Sequence, residues 1–257
     1  MRKFFLAVSL VLTSFSVFAV NSSHCPHSCP SGTPSSNFVV FRAPYTLSNN
    51  ATTKFADWVA YRIAPDTIQG GRSRNFRADP LLFSSRTLEP DDYTGAHAQI
   101  GTDRGHQAPL ASLGAFSDFQ ALNYLSNITP QASGLNQGPW NILESRVRGL
   151  VQGGGFNEVF VQTGPLYEFF FAELPGANER HTVPSGYWKV IYTNVNGNIQ
   201  TAAFIMEQTT PRSSNFCFHQ VTIDEVEARA GLNLFPNLSG ASTVERRTGF
   251  LRNDLGC

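Results

Sequence analysis

The stretch TDRGHQAPLASL (residues 102–113), followed by NYLSNITPQ (123–131) and LNQGPWNILE (135–144), decides how this chain is read. Asp103-Arg104-Gly105-His106 puts a carboxylate, a guanidinium and an imidazole within four residues. Asn136 and Glu144 add two more oxygen-bearing side chains downstream. Hydrolysis of a phosphodiester needs an activated water, positive charge around the pentacovalent transition state and help for the leaving oxygen. His106 suits the first task, because imidazole accepts a proton near neutrality. Arg104, Arg74 and Arg148 suit the second. Asn136 and Glu144 offer oxygens to a hard ion such as Mg²⁺, which keeps most of its waters and can lend one proton to the leaving group. Taken singly, each residue has a plainer reading. A lone histidine after glycine is more often structural, Asp103 positions a loop, and Asn127 and Asn136 form turns.

Around this centre, local patterns predict the scaffold. Pro139 suits a first helical position and Gly138 a cap. Trp140, Leu143, Val147 and Leu150 recur at helical spacing and form a core-facing stripe. Glu144 and Arg148 share another face of that helix, which alone reads as a surface ion pair. Gln69–Arg77, with Arg72, Arg74 and Arg77, is a basic loop whose default reading is a solvated face. Phe38–Phe41 reads as a short buried strand, Lys54–Arg62 as another, and Asn157–Gln162 as a third that ends in a Thr163-Gly164-Pro165 turn. Tyr187–Asn194 and Ile199–Glu207 form a hairpin across Asn196-Gly197. Thr222 and Glu225 make a capping box for a helix that stops near Gly231. With no repeat or linker, the pattern predicts one α+β domain on a central antiparallel sheet flanked by helices.

The chain has 257 residues, 41% hydrophobic and 15% charged. Residues 1–19 open with Arg2 and Lys3, run apolar from Phe4 to Phe18 and end in Val17-Phe18-Ala19. This reads as a secretory signal peptide cleaved near Ala19, the alternative being an uncleaved anchor. Without Arg2 and Lys3, the 19 basic residues become 17 against 19 acidic ones, a net charge of −2. That excludes a tight, wrapping nucleic-acid binder, whose affinity comes from positive charge. A local arginine cluster must do the work, and arginine outnumbers lysine fifteen to two after residue 19. Four cysteines behind a signal peptide imply two disulfides. Three pairings are open. Cys25–Cys29 and Cys217–Cys257 are favoured, and a zinc site from His24, Cys25, His27 and Cys29 is the competing reading. No nucleophile-elbow pattern appears, so a serine hydrolase is not expected.

The three quoted segments resemble the signature of the DNA/RNA non-specific endonucleases, the ββα-metal (His-Me finger) enzymes of the secreted Serratia nuclease type. The likeness runs from PYTL (44–47) through WVAYRI, SRNF, TGPLYE and SGYWKVI to the C-terminal cysteine. The resemblance implies a domain over 38–257 behind a cysteine-stapled arm at 20–37. It implies His106 as general base, Asn136 as the direct metal ligand, and Glu144 holding metal-bound water. Arg104, Arg74 and Arg148 would bind phosphate, with Asn127 supporting the site near the base. The cofactor it implies is Mg²⁺, with Mn²⁺ as a substitute. The substrates are single- and double-stranded DNA and RNA, cut to 5′-phosphorylated ends. The location is extracellular or periplasmic, with no stable membrane association. A homodimer is an open expectation, without a stretch of sequence that points to an interface. A histidine base predicts activity rising through about pH 6.5.

Overall fold

The computed structural model describes residues 20–247 and 249–257, so the signal-peptide reading of residues 1–19 lies outside the described residues. Among the described residues, nine strands form two sheets. Seven of them, β1 (Phe38–Phe41), β2 (Thr46–Asn49), β3 (Ala56–Ile63), β6 (Val159–Leu166), β7 (Gly186–Val195), β8 (Asn198–Glu207) and β9 (Gln220–Val221), make one antiparallel sheet in the order β1-β2-β3-β6-β7-β8-β9. The other two, β4 (Thr102–His106) and β5 (Ile128–Ala132), pair with each other alone. The α-helices among the described residues are α1 (Ala96–Ile100), α2 (Leu110–Leu113), α3 (Ser133–Leu135), α4 (Asn141–Gln152), α5 (Ile223–Ala230) and α6 (Ala241–Glu245). This is the α+β architecture expected from the sequence. No helix among the described residues is long and apolar enough to cross a membrane.

The central strand β7 shows why the sheet is buried on both faces. Side chains alternate across a strand. Tyr187 and Ile191 join a core with Tyr61, Leu143, Val147 and Phe204, while Trp188, Val190 and Tyr192 join a second with Trp58, Ile223, Val226 and Phe235. Helix α4 therefore covers one face and α5 the other. The β7–β8 hairpin turns at Asn196 (φ 52°) and Gly197 (φ 83°), the two left-handed positions a tight two-residue turn requires. Helix α5 opens with Thr222 accepting from the Glu225 amide and closes on left-handed Gly231.

Three local expectations are corrected. The Phe38–Phe41 strand is an edge, with Phe38 and Phe41 exposed, because β1 has a neighbour on one side only. Thr163-Gly164-Pro165 is not a turn. Strand β6 continues through it, pairing Gly164 with Trp188 and Pro165 with Tyr187. By Pro165 the pairing with β3 has ended, and proline is tolerated where a strand is paired on one side only. The third concerns Gly138. It sits not in a simple cap but in a wide π-type turn, Asn136–Trp140, and its backbone (φ −105°, ψ −118°) is non-helical. A Cβ there would lie 2.5 Å from the Arg212 carbonyl oxygen, so only glycine lets the Arg212 backbone close on this turn.

Both favoured disulfides are present, Cys25–Cys29 and Cys217–Cys257. The first leaves no thiolate for zinc. It is buried against the α5 face, where Ser31 pairs with Asn233 and Asn237 donates to Ser28. The second ties the Cys217 turn to a C-terminal segment whose Leu251 and Leu255 fill the core on the α4 face.

Candidate active site

Strand β4, the Asn136–Trp140 turn and α4 frame a cleft of about 740 Å³. Arg74, Arg104, His106, Asn136, Glu144 and Arg148 all line it. These come from a loop, from β4, from the π-type turn and from α4, so residues 74 positions apart in sequence meet in one hollow. Asn127 does not line it. It is buried behind β4, where its side chain accepts from the Ala108 amide and donates to the Ala108 and Leu122 carbonyls. It therefore holds the chain that leaves His106.

His106 ends β4. Its Nε2 lies 3.1 Å from Asn123 Oδ1, and Asn123 Nδ2 donates to the Ser73 carbonyl. Since the amide nitrogen is committed to Ser73, the oxygen faces the imidazole and Nε2 must carry the proton. Nδ1 is then the basic nitrogen. Phe76 packs beside the ring, with centroids 5.6 Å apart. Burial drives the His106 pKa down to about 4. The Asn123 hydrogen bond opposes that shift and the Arg74 charge adds to it. A base that stays neutral through the physiological range results.

Asp103 organises the other wall. Its Oδ2 accepts from Asn136 Nδ2 (2.9 Å) and Gln137 Nε2 (2.8 Å), and its Oδ1 from Ser133 (2.8 Å). His97 Nδ1 stands 3.1 Å from Oδ1. Partial burial works against its charge, but these donors outweigh it and hold the carboxyl below the usual carboxylate range. An ionised carboxylate only accepts, so it must meet the nitrogen end of the Asn136 amide, leaving Asn136 Oδ1 free for another partner.

The basic loop delivers one arginine, not three. Arg72 stacks on Phe119 and donates to Gly114, while Arg77 stacks on Tyr124 and donates to Gln120. Only Arg74 reaches the cleft. Arg104 is propped by the Pro90 carbonyl and lies over the rings of Phe76 and Tyr93, 5.2 and 5.4 Å away. On α4, Arg148 donates to Ser112 at 3.4 Å rather than forming the surface pair with Glu144. Burial raises the Glu144 pKa, and the charges of Lys189 and Arg148 restrain the rise.

A model of the family described as DNA/RNA non-specific endonuclease matches residues 27–241. The chain belongs to that family. It is 48% identical over 237 residues to a nuclease of Serratia marcescens, covering 91% of this chain and 89% of that one. It is 30% identical to human mitochondrial endonuclease G over 216 residues, covering 77% and 69%. A crystal structure of an EndoG/EndoGI complex superposes with a TM-score of 0.69 at 25% identity, over 81% of this chain and 90% of that chain. The protein is thus a nuclease, a phosphodiester hydrolase of a metal-dependent family.

The donors in the endonuclease's cleft fit a hard divalent ion. Asn136 Oδ1 accepts no hydrogen bond, and the Glu144 carboxylate lines the same cleft, with its inner oxygen Oε1 buried on the Lys189 side. Both residues offer oxygen, and one direct ligand with a carboxylate behind the water shell would leave an ion most of its water. Two residues of the site carried no signal that sequence reading used. Asn123 lies four positions before Asn127 in the same quoted segment, and that spacing could have paired them. Arg212, which lines the cleft and donates to Gln137, arrives from a distant loop through its contact with Gly138.

Proposed function

We propose that the protein is a secreted, Mg²⁺-dependent, sugar-non-specific endonuclease that cuts single- and double-stranded DNA and RNA to 5′-phosphorylated oligonucleotides. The observation that carries this reading is the meeting of His106, Asn136, Glu144 and three arginines in one cleft. His106 Nδ1 takes a proton from water as that water attacks phosphorus in line with the leaving 3′ oxygen, which leaves the phosphate on the 5′ side. Asn123 keeps the imidazole in the right tautomer. Arg74, Arg104 and Arg148 meet the non-bridging oxygens, where charge builds in the transition state. Asn136 Oδ1 would bind the ion directly, held by Asp103, and Glu144 would hold its hydration shell. When bound, the ion supplies positive charge at the phosphate and an acidic water beside the leaving oxygen. None of these groups reads base edges, so little sequence preference is expected.

The chain division that goes with this reading is a leader at 1–19 removed on secretion, a stapled arm at 20–37 and the catalytic domain at 38–257. Two buried or tied disulfides support an oxidising location. A net charge near zero supports easy product release. The test is digestion of supercoiled plasmid, single-stranded DNA and RNA by the purified protein, with Mg²⁺ and with chelator. Every substrate should be cut in Mg²⁺ and none in chelator. Cleavage of only one sugar type would narrow the reading, and intact substrates throughout would end it.

A further inference from the structure

Lys189 is fully buried in the middle of β7. By strand alternation it shares a face with Tyr187 and Ile191, both core residues. Such a position calls for an apolar side chain, because a buried ammonium without partners is strongly disfavoured. Three elements supply partners instead. Lys189 Nζ donates to Tyr61 Oη on β3 at 3.1 Å. It stands 4.5 Å from the centre of the Trp140 ring, at the end of the π-type turn. It lies 3.8 Å from Glu144 Oε1 on α4. That oxygen is the buried one without a hydrogen bond, and the same carboxylate lines the cleft.

Packing alone does not account for this arrangement. Replacing a buried ion pair by apolar side chains of similar volume is often neutral or stabilising, so stability gives no reason to keep a lysine here. A carboxylate pressed into the core beneath a reactive cleft does give one. Its inner oxygen needs a fixed partner if the outer one is to face the ion in a set direction. Arg148, the other cation near Glu144, donates to Ser112 and lines the cleft itself.

We propose that Lys189 is a positioning residue for phosphodiester cleavage: its buried ammonium anchors the inner oxygen of Glu144, so that Glu144 stays an oriented carboxylate facing the ion at Asn136. This rests on the reading of the cleft given above. Tyr61 and Trp140 act one step further out, by fixing the ammonium itself.

The experiment is Mn²⁺ binding to the full-length protein without substrate, followed by loss of the free-ion electron paramagnetic resonance signal, alongside cleavage rates. Lys189→Met keeps the volume and removes the charge. It should weaken Mn²⁺ binding about 10- to 100-fold, the range for supporting residues of metal sites. In a Glu144→Gln background the same change should weaken binding no further. Equal losses in both backgrounds, or no loss in Lys189→Met, would overturn the proposal. If Glu144→Gln alone leaves Mn²⁺ binding intact, the reading of the cleft falls and takes the proposal with it. Should Lys189→Met not fold, Tyr61→Phe removes the hydroxyl that fixes the ammonium and keeps the ring. A loss of about 2- to 10-fold in Mn²⁺ affinity is expected there, and an unchanged affinity is contrary.

Discussion

The two faces of the central sheet are built from alternate residues of the same strands, yet they are packed to different rules. On the α5 face, Trp58, Trp188, Val190, Tyr192 and Phe235 fill the space with rings and branched chains. Where a polar chain intrudes there, as with Gln162, it bonds to the Leu234 carbonyl. On the α4 face, one residue along β7, an ammonium is buried against a carboxylate below a cleft lined with arginines. A local rule of strand patterning is kept on one side and broken on the other. Such breaks mark functional sites, because stability alone does not favour them. The comparison separates residues that hold the fold from residues that hold the chemistry.

Substitutions on the two faces should therefore fail in different ways. The largest effect on turnover is expected from His106→Ala. Loss of the proton acceptor should cut kcat by about 10²- to 10⁴-fold, with the affinity for DNA and the melting temperature nearly unchanged. Steady-state kinetics with a binding assay checks this, and a normal kcat would place water activation elsewhere. Next comes Asp103→Ala. Without the carboxylate, the Asn136 amide is free to rotate, and the Mg²⁺ needed for half-maximal rate should rise about 10- to 100-fold. A metal titration reads this directly. An unaltered requirement would mean that Asn136 is aimed by something else.

The pH profile sharpens the contrast further. His106 is neutral in the folded chain above about pH 4, because burial and Arg74 disfavour its charge. The acid limb of kcat/KM should thus fall near pH 4, with a plateau through pH 6–8, and not near the free-histidine value of 6.5. The same shift has a sign in stability. Between about pH 4 and 6.5 the unfolded chain takes up the proton that the folded chain refuses, so stability from this group rises with pH across that window. An acid limb centred at 6.5 would show the imidazole to be well solvated. The smallest effect on turnover belongs to the other face. Trp188→Ala should cost about 3–5 kcal/mol of stability, lowering the melting temperature, while the folded fraction keeps its kcat. A large fall in kcat per folded molecule would couple the two faces.

What could be read in advance follows the range of the forces involved. The Asn196-Gly197 hairpin and the Thr222 cap are set by neighbours in sequence, and both appear as expected. The cleft was readable because Arg104, His106, Asn136 and Glu144 fall in short segments with a family signature, with Arg74 and Arg148 close by in the matching SRNF loop and on α4. The orientation of Asn123 was not readable, since it depends on a carbonyl fifty residues away at Ser73. Lys189 was hidden for another reason. A lysine between tryptophan and valine looks like the solvent face of an alternating strand until both faces are seen to be covered. The passage of β6 through Gly164 and Pro165 was missed because turn-forming residues were read without their strand partners. The two disulfides were reached by spacing, but the burial of Cys25 and Cys29 against the sheet depends on α5 and its following loop.

The central claim is that a divalent ion sits at Asn136 within reach of the His106 imidazole. Paramagnetic broadening of the histidine ring signals by substoichiometric Mn²⁺ tests it without any substrate. His106 should broaden first in the native protein and should be spared in Asn136→Ala. The account is contradicted if His106 stays sharp while Mn²⁺ instead broadens signals around Glu89, Asp92 and Glu179 or around Asp224, Glu227 and Glu245, two acidic clusters among the described residues that do not line the cleft.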